Sequence, residues 1–193
     1  RAPIALSMGA PTANPPAMLI EKLKEFLTES NIHTYSVTRG ELFYRQAIAQ
    51  KMQDRFGVTL DVNSEIFSLL GSKDGLANLI RFIITPEHEE KEKDIILIPD
   101  PGYASYGQMV QCSGGKAYPI PLTKENNYQP NMEEVLAKLV EDGYNPNKVK
   151  AVIINYPNNP LGVSATKEYV KTVVDFCKKH GYLLISDAAY CDV

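Results

Sequence analysis

The feature that most constrains this chain is a repeated alternation. Short apolar, strand-like runs at Ile66–Leu70, Ile95–Ile98, Lys116–Ile120, Val149–Asn155 and Tyr182–Ser186 alternate with amphipathic helical stretches. Strands without a polar face are buried on both sides, and such sheets are mostly parallel and covered above and below by helices. The pattern predicts an α/β fold: three layers, a mostly parallel sheet with helices on both faces. One helix follows Gly71 and runs to about Ile84, and another starts near Tyr103. A third carries Met132, Val135, Leu136, Leu139 and Val140 and ends at Gly143. A fourth is capped by Thr166, buries Tyr169, Val170, Val173, Val174 and Cys177, and stops at Gly181. Upstream, Pro15-Pro16 opens a helix with an apolar stripe at Leu19, Ile20, Leu23, Phe26 and Leu27, ended by Ser30-Asn31. A further helix is expected from Glu41 to Phe56, with Gly57 as its stop.

Composition narrows the function classes. Twenty Lys+Arg against 23 Asp+Glu give a net charge of −3, with no basic block, so neither a nucleic-acid surface nor a polybasic membrane patch is indicated. The apolar runs fall far short of the roughly 20 residues a membrane helix needs. Cys112, Cys177 and Cys191 form no CxxC pair and are odd in number, which favours a reduced, cytoplasmic setting. The chain opens on Arg1 without a signal-peptide pattern and closes just after a strand, so it reads as a segment of a longer protein.

In open α/β sheets ligands bind beyond the carboxyl ends of the strands. Those positions hold Gly71-Ser72-Lys73-Asp74-Gly75, Asp100-Pro101-Gly102-Tyr103, Asn155-Tyr156-Pro157-Asn158-Asn159-Pro160 and Asp187-Ala188-Ala189-Tyr190. The Gly71 turn offers open backbone N–H groups to an anion, or is simply a helix capped by Ser72. It matches neither GxGxxG nor GxxxxGK[ST]. Tyr103 presents a ring face to a flat ligand, or packs half-buried. Asn159 fits a turn as well as a site. Asp187 ends a buried strand, where a carboxylate needs a cationic or donor partner, unless it is a helix N-cap. His33, His88 and His180 lack metal-ligand spacing, the segment Glu87–Asp94 is charged and expected to be exposed, with Glu87–Lys93 a solvated face, and no GxSxG or Ser/His/Asp set is present.

Five strings in order resemble the class I/II aminotransferases of the fold type I pyridoxal-phosphate (PLP) enzymes. They are Tyr35-Ser-Val-Thr-Arg-Gly40 with Tyr44-Arg45 beyond it, Gly71-Ser-Lys-Asp-Gly75, Pro99-Asp-Pro-Gly-Tyr103, Asn155-Tyr-Pro-Asn-Asn-Pro-Leu-Gly162 and Ser186-Asp-Ala-Ala-Tyr190. The second string and Asn158-Asn-Pro160 are most similar to the diaminopimelate and aspartate-like branches. The resemblance implies that Ser72 and Lys73 hold the PLP phosphate and that Tyr103 stacks on the pyridine ring. It has Asn159 and Tyr190 bond the phenolic oxygen, while Asp187 pairs with the ring nitrogen. It places Asp187 and Tyr190 among the catalytic residues and Gly9, in Ser7-Met8-Gly9, near the substrate. Tyr35 would reach the phosphate of a neighbouring subunit, implying a homodimer with shared sites. Residues 1–33 would be the arm and helix of a small domain, and 34–193 the first part of the PLP-binding large domain.

Two departures accompany the resemblance. Leu161 stands where the family has Thr, which bears on local packing. The family's Schiff-base lysine lies a few dozen residues beyond the position of Asp187, so this segment alone would be inactive while the full-length protein transaminates an amino acid and a 2-oxo acid. A carbon–sulfur β-lyase shares every residue named, and an aminotransferase-like effector domain of a transcription regulator is a second alternative.

Overall fold

The computed structural model describes residues 13–30 and 32–192. The chain divides into two compact units, residues 1–68 and 69–193.

In the first unit, α1 (Ala17–Phe26) starts after Pro16 and α2 (Leu42–Phe56) ends on Gly57, whose φ of 67° is the left-handed value a glycine cap adopts. Helix α1 stops at Phe26, four residues before Ser30, because Leu27 and Thr28 already close the last turn onto Leu23 and Glu25. Its apolar stripe is exposed, and none of its residues is buried. Arg45, expected only as part of a matching string, is the buried residue of α2. Its guanidinium donates to the carbonyls of Gly40 and Val62, and Arg39 donates to that of Asn63. Ion-pairing capacity is thus spent on holding loops through charge-assisted bonds.

The expected strand Ile66–Leu70 is not a strand in the structure. A strand needs a hydrogen-bonding neighbour, and among the described residues none runs beside it. Its one ladder-like bond is from the Ser68 N–H to the Arg39 carbonyl, and Leu70 is fully open to solvent.

The second unit carries four parallel strands: β1 (Ile95–Asp100), β2 (Lys116–Pro121), β3 (Val149–Asn155) and β4 (Leu183–Asp187), in the order β2-β1-β3-β4. The helices are α3 (Ser72–Ile83), α4 (Ser105–Cys112), α5 (Met132–Glu141) and α6 (Lys167–His180). Alternation along each strand sorts the core into two layers. Ile95 and Leu97 of β1, with Val152 and Ile154 of β3, pack under α5 and α6 against Leu136, Leu139, Val173 and Phe176. Ile96, Ala151, Ile153 and Ile185 face the other way, onto Ile80 of α3 and Tyr106, Met109 and Val110 of α4. This is the three-layer sandwich the apolar runs predicted. Both Pro119 and Pro121 lie on β2, an outer strand, where a missing N–H costs least.

The caps follow the residue chemistry. Asn131 accepts from the Glu133 N–H, Thr166 accepts from the Tyr169 N–H, and Gly181 ends α6 in the left-handed region. Phe176, rather than the half-buried Tyr169, Val170 and Val174, completes the buried stripe of α6. Leu161 packs against the α5/α6 layer, so the apolar residue at this position finds apolar company.

The charged run is more than a solvated face. Asp94 is buried and accepts from the Thr85 N–H at 2.8 Å, with Lys150 at 3.4 Å. Glu90 is held by Lys116 at 2.7 Å and Lys93 at 2.8 Å, and those two ammonium groups bring its carboxyl down to about 2. Lys91 sits 3.5 Å from the Tyr144 ring centroid, a cation–π contact that ties this segment to the exit of α5.

Candidate functional site

Topology picks the place. The chain leaves β1 toward β2 and then returns to the opposite side of β1 as β3, which puts a switch in direction between β1 and β3. At such a switch point the carboxyl ends of adjacent strands part and leave a crevice. A cavity of about 200 Å³ lies there.

Its walls come from four separate segments of the second unit. The start of α3 supplies Ser72 and Lys73, and the turn after β1 supplies Tyr103, with Tyr106 one helical turn on. The end of β3 and its loop supply Asn155 and Asn159, and the end of β4 supplies Asp187 and Tyr190. Six of the residues singled out in the sequence therefore meet around one space: Ser72, Lys73, Tyr103, Asn159, Asp187 and Tyr190. Tyr35 belongs to the first unit and is fully exposed there. Gly9 lies outside the described residues.

The α3 end is open. Ser72 is not the cap: Gly71 is, at a φ of 107° that suits glycine alone, and it has no side chain to occupy the first-turn N–H groups. Those donors and the Lys73 ammonium make the positive end of the cavity. Lys73 also lies 5.4 Å from the Tyr103 ring centroid, and hydrogen bonding from its ammonium, then from Ser105, lowers the pKa of the Tyr103 hydroxyl.

At the β4 end, Asp187 is partly exposed, and among the described residues no helix starts from it. It accepts from the Tyr106 hydroxyl at 2.6 Å. Tyr106 is completely buried, and burial together with the Asp187 carboxylate pushes its phenol well above the ordinary range, so it remains a donor. The Tyr103 and Tyr106 rings meet edge to face at 5.5 Å.

Between these ends, buried Asn155 uses its whole amide. Oδ1 accepts from the Asn159 N–H at 2.8 Å, and Nδ2 donates to the Asp187 carbonyl at 2.9 Å. One side chain thus ties the β3 loop to the end of β4. Asn159 in turn donates to the Tyr190 hydroxyl at 3.3 Å.

Tyr106 and Asn155 were given no role from the sequence. The spacing Tyr103-x-x-Tyr106 at a helix start was a readable signal, since i and i+3 share a face. Asn155 had no comparable signal, since the partner that makes it a bridge, the Asp187 carbonyl, lies on another strand.

The set suits a ligand with an anionic group at one end, a flat ring, and a basic ring atom at the other. PLP has those parts. An open helix N-terminus with a lysine matches the phosphate, an aromatic face the ring, an amide and a phenol an oxygen substituent, and a carboxylate a ring nitrogen. Among the described residues no three His, Cys, Asp or Glu are clustered to hold a metal, and no helix is long and apolar enough to cross a membrane.

Comparison with known proteins agrees with this chemistry. The family model for aminotransferases of class I and II matches residues 1–193. An LL-diaminopimelate aminotransferase from Desulforudis audaxviator is 37% identical over 190 residues, covering 98% of this chain and 45% of its own length. Among solved structures, an aromatic aminotransferase from Pyrococcus horikoshii aligns with a TM-score of 0.78 at 31% identity, over 93% of this chain and 45% of that one. An aspartate aminotransferase from Thermotoga maritima aligns at 0.80 and 28% identity, over 95% and 45%. The chain spans about half the length of the curated relatives it matches.

Proposed function

Because the chain belongs to the class I and II aminotransferases, a PLP-dependent family, we propose that the whole protein transfers an amino group between an amino acid and a 2-oxo acid. The observation that carries this reading is the opposition of charges across one cavity: the open end of α3 with Lys73 on one side, the Asp187 carboxylate on the other. The names of the relatives favour LL-diaminopimelate as the amino donor.

The bound cofactor supplies an electron sink for charge developing at the substrate α-carbon. The residues of this chain bind and orient it. Ser72, Lys73 and the first-turn amides hold the phosphate, Tyr103 lies against the ring, and Asn159 and Tyr190 bond its phenolic oxygen. Asp187 keeps a proton on the ring nitrogen and Tyr190 holds the phenolic oxygen, and these two are the catalytic contributions of this chain. We assign Gly9 to the substrate side on the family resemblance alone. We place the protein in the cytoplasm, with residues 1–33 in a small domain and 34–193 in the large domain.

Product analysis tests the reaction. With PLP, an amino acid and a 2-oxo acid, the protein should yield a keto acid that retains the donor's side chain. Pyruvate with a released thiol would show the β-lyase instead. The 193 residues alone should bind PLP without a covalent link, as Lys73 is the one lysine lining the cavity among the described residues and serves the phosphate. Borohydride treatment followed by mass measurement should leave their mass unchanged, and a stoichiometric adduct on one lysine would contradict this.

Tyr35, free of burial in its own unit, is read as reaching the phosphate held by a neighbouring subunit of a homodimer. Tyr35→Phe should then weaken PLP binding by about 1 kcal/mol, the order of one hydrogen bond. In hybrids with Asp187→Ala subunits, which keep Tyr35, the one active site should regain the wild-type PLP affinity when activity is titrated with PLP, and hybrids that need as much PLP as Tyr35→Phe would exclude this shared contact.

A further inference from the structure

We infer that Tyr106 is a positioning residue for Asp187: its buried hydroxyl holds Oδ2 so that the carboxylate presents Oδ1 to the ligand in the cavity. The inference rests on the PLP reading of the site and goes beyond it to a residue 81 positions away in sequence.

Asp187 sits on the last residue of β4, opposite Asn155 in the ladder, and its backbone is fixed by the Asn155 amide. The side chain has its own freedom, since a carboxyl on a strand end still rotates about two bonds. The contact that removes this freedom is the 2.6 Å bond from Tyr106. Tyr106 is itself immobile: it is fully buried on α4, packed in the layer with Ile96 and Ile153, and braced edge-on by Tyr103. A rigid donor on one oxygen fixes the plane of the carboxylate and leaves the other oxygen for a cationic partner. A donor that stays protonated also never competes for the proton that Asp187 must share with its ligand.

Packing alone would also place a tyrosine here, and the two roles are separable. Tyr106→Phe keeps the ring and removes the donor. In the full protein it should weaken PLP binding about fivefold, the scale of one net hydrogen bond. It should also shift the visible absorption of bound PLP toward that of Asp187→Ala. In the Asp187→Ala background the same change should have no further effect on affinity or spectrum. Replacing Tyr106 with 3-fluorotyrosine keeps the shape and makes the hydroxyl a stronger donor, so the absorption should move the opposite way from Tyr106→Phe.

The inference is overturned if Tyr106→Phe matches the wild type in affinity and spectrum while Asp187→Ala does not, a result that leaves the PLP reading standing. Equal losses in both backgrounds also overturn it, because they report packing alone. A wild-type protein that binds no PLP overturns the reading of the site and this inference together.

Discussion

Asp187→Ala should leave PLP bound to the full protein through its phosphate while turnover falls about a thousandfold, the scale of losing one preorganised charge at a reacting centre. A protonated ring nitrogen accepts electron density from the reacting carbon, and it stays protonated only beside an anion in a sheltered site. The structure adds a second consequence. Tyr106 is fully buried and donates to Asp187, so alanine also strands a buried hydroxyl at a cost of about 1–3 kcal/mol. Asp187→Asn separates the two effects. An amide oxygen still accepts from Tyr106, so thermal stability should stay near the wild type, whereas the charge is gone and turnover should fall as in the alanine variant. Steady-state rates and melting curves for the two variants check both statements. Full activity in either one would remove Asp187 from its role.

Leu97→Ala should cost the fold about 2–5 kcal/mol, the range for emptying a closed core site. Leu97 is completely buried at the middle of β1, paired with Tyr118 of β2 and Val152 of β3, under the α5/α6 layer. Neighbours held on both sides by ladders have little room to collapse into the space. Against a usual total of about 5–15 kcal/mol, this is a large share. In urea, with a slope of about 2 kcal/mol per molar, the midpoint should fall by 1 M or more. Leu183→Ala at the exposed start of β4 is the control and should shift it by a few tenths of a molar at most. Similar shifts for the two would show that the sandwich core is not where the structure puts it.

The central layer was legible because its signal is local. Runs such as Ile95–Ile98 and Val149–Asn155 have no polar face, and that by itself implies cover on both sides. Ile66–Leu70 carries the same signal and is no strand here, because hydrophobicity reports burial but not the neighbour that completes a ladder. Ser72 was open between anion contact and cap. The choice depended on the φ of Gly71, a backbone angle no residue type states. The meeting of Tyr103, Asn159 and Asp187 followed from one rule about strand ends. The hydrogen bonds behind them, from Tyr106 to Asp187 and from Asn155 to the Asp187 carbonyl, span tens of residues and have no local trace. Asp94 was hidden by its company. In a run of Glu and Lys it looked solvated, yet it alone turns inward to the Thr85 amide.

The cavity beyond β1, β3 and β4 is expected to hold PLP in one orientation. The direct measurement is a crystal structure of the protein grown with PLP. The phosphate should lie at the first turn of α3 beside Ser72 and Lys73, with the ring against Tyr103. The ring nitrogen should sit about 2.6–3.2 Å from an Asp187 oxygen. A cavity still empty at saturating PLP, or a ring turned so that its nitrogen faces away from Asp187, would contradict this mode of binding.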